Sequence, residues 1–223
     1  MRKIPFLILS LVVCLNLNAQ TNKQLRDSLA TISKELSRNP ESIDLRLRKA
    51  GLNLRLEQWD YACNEYDRVL SLDPKNISAL YFRAYVYEKQ GKYGFARSDY
   101  ENLLALVPGN FEAQLGLALL NQKDKHYKEA LDQLNVICAQ HPDRSEAFAA
   151  RAGVEKERGL NDLAEYDFSQ AIRIEPDNID YRISYIDLLL NMNRKADAID
   201  ALGVLVRKGV PRPNLEELYQ RAR

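Results

Sequence analysis

Histidine and cysteine are scarce in this chain: two histidines and three cysteines in 223 residues leave little from which to build a metal centre or a disulfide framework. Glycine and proline are sparse too, at nine and eight, which excludes collagen-like and low-complexity organisation. Neither sign of charge dominates. Lysine and arginine total 32 against 31 acidic residues, so the basic footprint of a general nucleic-acid binder is missing. No glycine-rich phosphate loop, no paired histidine–glutamate metal motif and no serine in a strand-to-helix elbow occurs. Carboxylates are scattered over helix faces, and no pair stands in an apolar setting that would shift its pKa. Asp60, Asp162 and Glu165 suit helix N-termini instead. These absences predict a chain that is not an enzyme and carries no cofactor. What is abundant is globular material, 46% hydrophobic and 28% charged, enough for one or two domains.

The one long apolar run lies at the start. Arg2 and Lys3 precede Ile4 to Leu17, followed by Asn18, Ala19 and Gln20. This order of cationic, apolar and small residues is that of a secretory signal peptide, and the run is short of the ~20 residues of a membrane span. Cleavage is expected after Ala19, leaving no transmembrane segment; an uncleaved anchor is the alternative. Cys14 follows the branched Val13, where lipoprotein attachment requires a small residue, so it reads as part of the apolar run. Removing residues 1–19 takes two cations and no acid, leaving 30 against 31. Export to the periplasm or outside the cell, including the cell envelope, is expected. Such a compartment permits disulfides for the remaining Cys63 and Cys138.

A period of 34 residues runs through the rest: prolines at 40, 74, 108, 142 and 176, and alanines at 62, 96, 130, 164 and 198. Trp59, Tyr93 and Tyr127 keep the same interval, as do Ala50, Ala84, Ala118, Ala152 and then Ile186. Within a unit the apolar residues hold helical spacing, as in Leu80, Ala84 and Tyr87 followed by Phe95, Tyr100, Leu103 and Leu104. Each unit therefore reads as two amphipathic helices. Gly91, Gly159 and Asn193 are placed to end first helices in a left-handed conformation. The prolines stop second helices, and Asn76, Asn110 and Asn178 can cap the helices that follow. The small alanines let helix axes approach closely. Leu25, Leu29, Ile32 and Leu36 form one apolar stripe ahead of the array. Leu215 and Leu218 start a short helix behind it, with Arg221 and Arg223 suited to its C-terminal dipole.

This pattern resembles the tetratricopeptide repeat, a 34-residue helix–turn–helix unit. The resemblance covers about residues 43–212, in units 43–76, 77–110, 111–144, 145–178 and 179–212. The second unit matches best. The fifth departs most, with Ile186, Lys195 and Val210 at pattern positions. The implied fold is all-α, a right-handed superhelical solenoid of five repeats, with capping helices at 20–40 and 213–223. No compositional break interrupts the period, so the reading is one array. On such a fold, units 1 and 3 hold Cys63 and Cys138 too far apart to pair, which predicts two buried free thiols. His126 and His141 lie at opposite ends of one helix and cannot chelate together, so no metal site is expected.

The resemblance also implies that the first helices line a concave groove taking a protein or peptide partner. The family's contact positions fall here on Tyr81, Tyr85 and Glu88, on Leu115, Leu119 and Gln122, and on Ala149, Gly153 and Lys156. Other such positions hold Glu146 and Asp180, giving an apolar stripe with a mostly acidic rim. Tyr81, Tyr85, Leu115 and Leu119 read as partner anchors, since tyrosine offers rigid area with a polar tip; packing against neighbouring helices is the equal alternative. Gly51 and Gly153 would leave depressions in the groove. The carboxylate clamp of the family's co-chaperones is not matched, because Leu47, Gly51, Phe82, Glu112 and Gly116 occupy its positions. The expected function is a non-enzymatic interaction scaffold for a protein or peptide, not a nucleic acid. An accessory subunit of an envelope assembly or polysaccharide export complex is the alternative.

Overall fold

A computed structural model describes residues 6–223, with side chains from residue 22 onward; the leader expected at residues 1–19 lies outside the described side chains. The architecture is the all-α, helix–turn–helix solenoid that the repeat pattern implies. The chain divides into two compact units, Met1–Pro108 and Gly109–Arg223, a division that the uninterrupted period does not reveal. The first unit holds α1 (Phe6–Arg38), α2 (Ile43–Arg55), α3 (Trp59–Leu72), α4 (Ile77–Lys89) and α5 (Tyr93–Leu106). The second holds α6 (Phe111–Lys123), α7 (Tyr127–Gln140), α8 (Ser145–Glu157), α9 (Asn161–Ile174), α10 (Ile179–Asn191), α11 (Lys195–Arg207), a 3-10 turn at Arg212–Leu215 and α12 (Glu216–Arg221).

Local chemistry sets the helix ends. Asn76 and Asn110 accept hydrogen bonds from the backbone N–H of Ala79 and Ala113, and Asn178 from those of Asp180 and Tyr181. Ser42 caps α2 in the same way through Leu45. Each supplies an acceptor to a helix donor that would otherwise lack one. At the fourth position of this register Arg144 offers no side-chain cap. Gly91, Gly159 and Asn193 take φ of 71°, 72° and 58°, as their positions predict. Glu57 and Lys125 hold the same place in their repeats at φ 56° and 61°. The turn therefore imposes the left-handed conformation even where the residue resists it.

Packing follows the small residues. All nine repeated alanines, four in first helices and five in second helices, are fully buried, and Ile186 fills the place of the missing one. Within each unit successive helices pack on one another as far as α11, α12 packs on α10, and first helices also touch: α2 on α4, and α6 on α8. The ends are closed by helices. Leu25, Ile32 and Leu36 of α1 are buried, and Leu215 is buried behind α10 and α11 with Leu218 and Tyr219 packed beside it. Cys63 and Cys138 are buried free thiols, and burial raises both pKa values, Cys138 to about 11.

Candidate partner-binding groove

The turn spacing of α8 separates its two faces. Ala147, Ala152 and Val154 point into the core, while Glu146, Ala149, Ala150, Gly153, Lys156 and Glu157 face one open groove of about 440 Å³. Leu115 and Leu119, one turn apart on α6, form one side, and Asp180, Tyr181 and Ser184 of α10 the other. Phe168 of α9 contributes from below. Gly153 keeps the floor open: a Cβ there would meet only the Gln122 amide nitrogen, at 3.7 Å. That amide donates to Glu157 Oε1 at 2.7 Å.

The polar rim is tied into the fold. Lys156 Nζ is ion-paired to Asp187, and Arg221 Nη2 reaches the same carboxylate at 2.7 Å. Burial alone raises the Asp187 pKa, but hydrogen bonds from Lys156 and Arg221 outweigh it and hold the group below the ordinary carboxylate value. Arg144 lies with its guanidinium 3.7 Å from the Phe111 ring centre, between Glu146 at 3.3 Å and Glu112 at 3.5 Å. The buried Ser145 donates to Glu175 Oε1 at 2.5 Å and lies 3.2 Å from Tyr181 Oη, which fixes one groove wall.

The structure thus gathers five predicted residues, Leu115, Leu119, Ala149, Gly153 and Lys156, around one groove, with Gln122 at its edge. All six are half-buried. Sequence reasoning missed Ala150, Glu157, Phe168, Tyr181 and Ser184; the first two could have been found as the helical neighbours of Glu146, Ala149 and Gly153.

Tyr81, Tyr85 and Glu88 belong to the first unit, on α4. Tyr81 is half-buried, edge-on to Phe82 at 5.2 Å and to Tyr100 at 6.0 Å. Lys89 Nζ sits 5.1 Å from the centre of the Tyr85 ring. The buried Tyr100 hydroxyl donates to Glu88 Oε1 at 2.7 Å, so Glu88 fastens α5 to α4. Burial first, and then the Glu88 charge, push the Tyr100 pKa far above its ordinary value.

Two expectations need correction. Glu165 does not serve its helix N-terminus; it accepts from Arg194 Nη1 at 2.5 Å and from Tyr185 Oη at 3.0 Å. A perturbed carboxylate pair does exist: Glu155, only 6% exposed, faces Asp167 across the α8–α9 pair. Burial, then the negative charge of Asp167, push Glu155 up to about 7. Arg151 is 4.0 Å from Glu155 Oε1, while Glu155 Oε2 has no hydrogen-bond partner among the described residues. The two residues are twelve apart in sequence, on consecutive helices, and only the helix crossing brings them together. Both are buried, Glu155 on α8 and Asp167 on α9, and neither lines the groove.

Among the described residues there is no strand, no disulfide and no cluster of three or more histidine, cysteine or acidic residues placed to hold a metal. No helix of the described residues is long and apolar enough to cross a membrane. His126 is exposed beside Asp124, and His141 packs edge-on against Phe111 at the far end of α7.

Residues 87–153 match the tetratricopeptide repeat family model. No curated protein sequence matches the chain. Among solved structures, a tetratricopeptide repeat protein from Parabacteroides merdae superposes with a TM-score of 0.75 at 21% identity, over 98% of this chain and 86% of its own. A thermophilic protein of the same repeat type from Thermus thermophilus gives 0.67 at 22% identity, over 81% and 98%. YrrB, described as having an unusual peptide-binding site, gives 0.56 at 20% identity, over 79% and 91%. At these identities the likeness is one of fold.

Proposed function

We propose that this tetratricopeptide-repeat chain is a non-enzymatic interaction module that seats a segment of a partner protein in the groove formed by α6, α8 and α10. The observation that carries the reading is the groove itself. Its floor of Ala149, Ala150 and Gly153 and its side of Leu115 and Leu119 offer apolar area, and a charged rim borders it. Tyr81 and Tyr85 serve as a further contact region on the first unit, each half-buried with a polar tip. The likeness in fold to a protein described by its peptide-binding site agrees with this use of the scaffold.

We further propose that the chain acts after export, since residues 2–20 carry the cationic, apolar and small-residue order of a leader. Intact mass of the protein recovered from its native cell tests this: loss of residues 1–19 is expected, and a full-length cytoplasmic product would refute it.

The groove reading is tested by recovering partners on immobilised chain and on a Gly153→Leu variant, whose side chain fills the open floor. Partners lost with the variant, at unchanged helicity and melting temperature, support the groove. Partners retained at wild-type yield would refute it.

A further inference from the structure

We infer that the segment taken by this groove is basic: a lysine or arginine next to a small aliphatic residue. The inference rests on the groove reading and adds the chemistry of the occupant. Three acids line the groove, Glu146, Glu157 and Asp180, against one cation, Lys156. That cation is committed to Asp187. Arg221 adds a positive charge behind it, but is drawn onto the same carboxylate. Arg144 is held flat against Phe111 and shared by Glu112 and Glu146, so it cancels at most one of those two charges. Glu157 accepts only neutral donors from the groove side, through the Gln122 amide. Asp180 is exposed and makes no ion pair with any described residue. Counting the groups on and immediately behind the lining, five carboxylates (Glu112, Glu146, Glu157, Asp180 and Asp187) face three cations (Arg144, Lys156 and Arg221). Two negative charges remain in excess. The surplus lies along the rim, Glu146 and Glu157 on α8 and Asp180 on α10, while the floor between them is apolar and built from Ala149, Ala150 and Gly153. A small aliphatic side chain fits that floor, and a neighbouring lysine or arginine then reaches Asp180 or Glu146. An acidic segment would meet uncompensated carboxylates along that rim, a repulsion that selects against it.

Panning a displayed library of random decapeptides on the full chain tests this, with Gly153→Leu, Asp180→Asn and an Asp180→Lys/Glu146→Lys variant as parallel targets, each checked for native helicity. The expected result is enrichment of lysine or arginine beside alanine or valine on the wild type. It disappears on Gly153→Leu and turns to acidic peptides on the charge-reversed chain. A winning peptide should bind Asp180→Asn about tenfold more weakly, with an affinity that falls as salt rises. Acidic or uncharged winners that still require Gly153 overturn the inference and leave the groove reading standing. Winners indifferent to Gly153→Leu, or no winners, overturn both.

Discussion

Arg83 and Asp99, sixteen residues apart, form a two-pronged ion pair in which Nε and Nη2 of the guanidinium reach the two carboxylate oxygens at 2.7 and 2.6 Å. Arg83 Nη1 also reaches Asp67 of the preceding repeat at 2.6 Å, so one side chain on α4 ties α3 to α5. Two repeats later the device recurs. Arg151 grips Asp167 through Nε and Nη2 and reaches Asn135 at 3.0 Å. The first repeat uses Lys49 and Glu65 at the same places, 2.7 Å apart. The third holds Leu117 and Gln133 there, and Gln133 accepts from Asn121 at 2.8 Å. Paired planar geometry favours arginine over lysine at the two buried sites.

Asp99 is buried, so removing its partner leaves an uncompensated charge. Arg83→Ala is expected to lower unfolding free energy by about 3–5 kcal/mol, while Arg83→Met combined with Asp99→Leu costs much less. Urea unfolding of the single and double variants checks this. Equal losses for both would show that the pair stabilises the fold outright.

Glu155 gives the stability a pH dependence of unusual sign. Its folded pKa of about 7 lies above the ordinary 4.5, so across that window the folded chain holds a proton that the unfolded chain releases. Its contribution to stability therefore falls as pH rises from about 4.5 to 7, then levels off. Glu155→Gln should raise the urea midpoint at about pH 8, leave it nearly unchanged at about pH 4, and flatten the curve between.

Glu57 and Lys125 occupy a left-handed turn position that glycine fills at residues 91 and 159. Lys125→Gly is expected to stabilise the chain by about 0.5–1 kcal/mol, and Gly91→Ala to destabilise it by about 1 kcal/mol. Thermal melts of the two variants should move in opposite directions. Movement in the same direction would mean that other contacts decide these turns.

Asn76, Asn110 and Asn178 cap their helices, while Arg144 at the equivalent place does not. Each Asn→Ala change should cost about 1 kcal/mol. The matching Arg144→Ala change should instead be read in the Phe111 contact and the Glu112 and Glu146 pairs, and its cost should fall with added salt, which the Asn variants will not show.

Gly153 lies inside α8, where an added Cβ would meet only the Gln122 amide nitrogen, at an ordinary contact distance of 3.7 Å. Gly153→Ala should therefore stabilise the helix by about 0.5–1 kcal/mol, since alanine loses less backbone freedom. A loss of stability in denaturant titration would show that the groove floor is more tightly packed than its geometry indicates.

The sequence by itself determined the helix pairs, their 34-residue period, the capping asparagines and the buried alanines. Each of these depends on a residue and its neighbours within one repeat. A side chain's helical register decides which face it occupies, and a cap acts on the next three residues. The tertiary structure alone decided three things. It set Glu155 against Asp167, and it joined Arg83 to Asp67 of the preceding repeat. It also added Phe168, Tyr181 and Ser184 to the groove of Leu115, Gly153 and Asp180. These contacts lie between helices, where the crossing angle and the relative rotation of two packed faces determine which side chains meet. That angle is set by the whole interlocked surface, and no spacing along one helix encodes it.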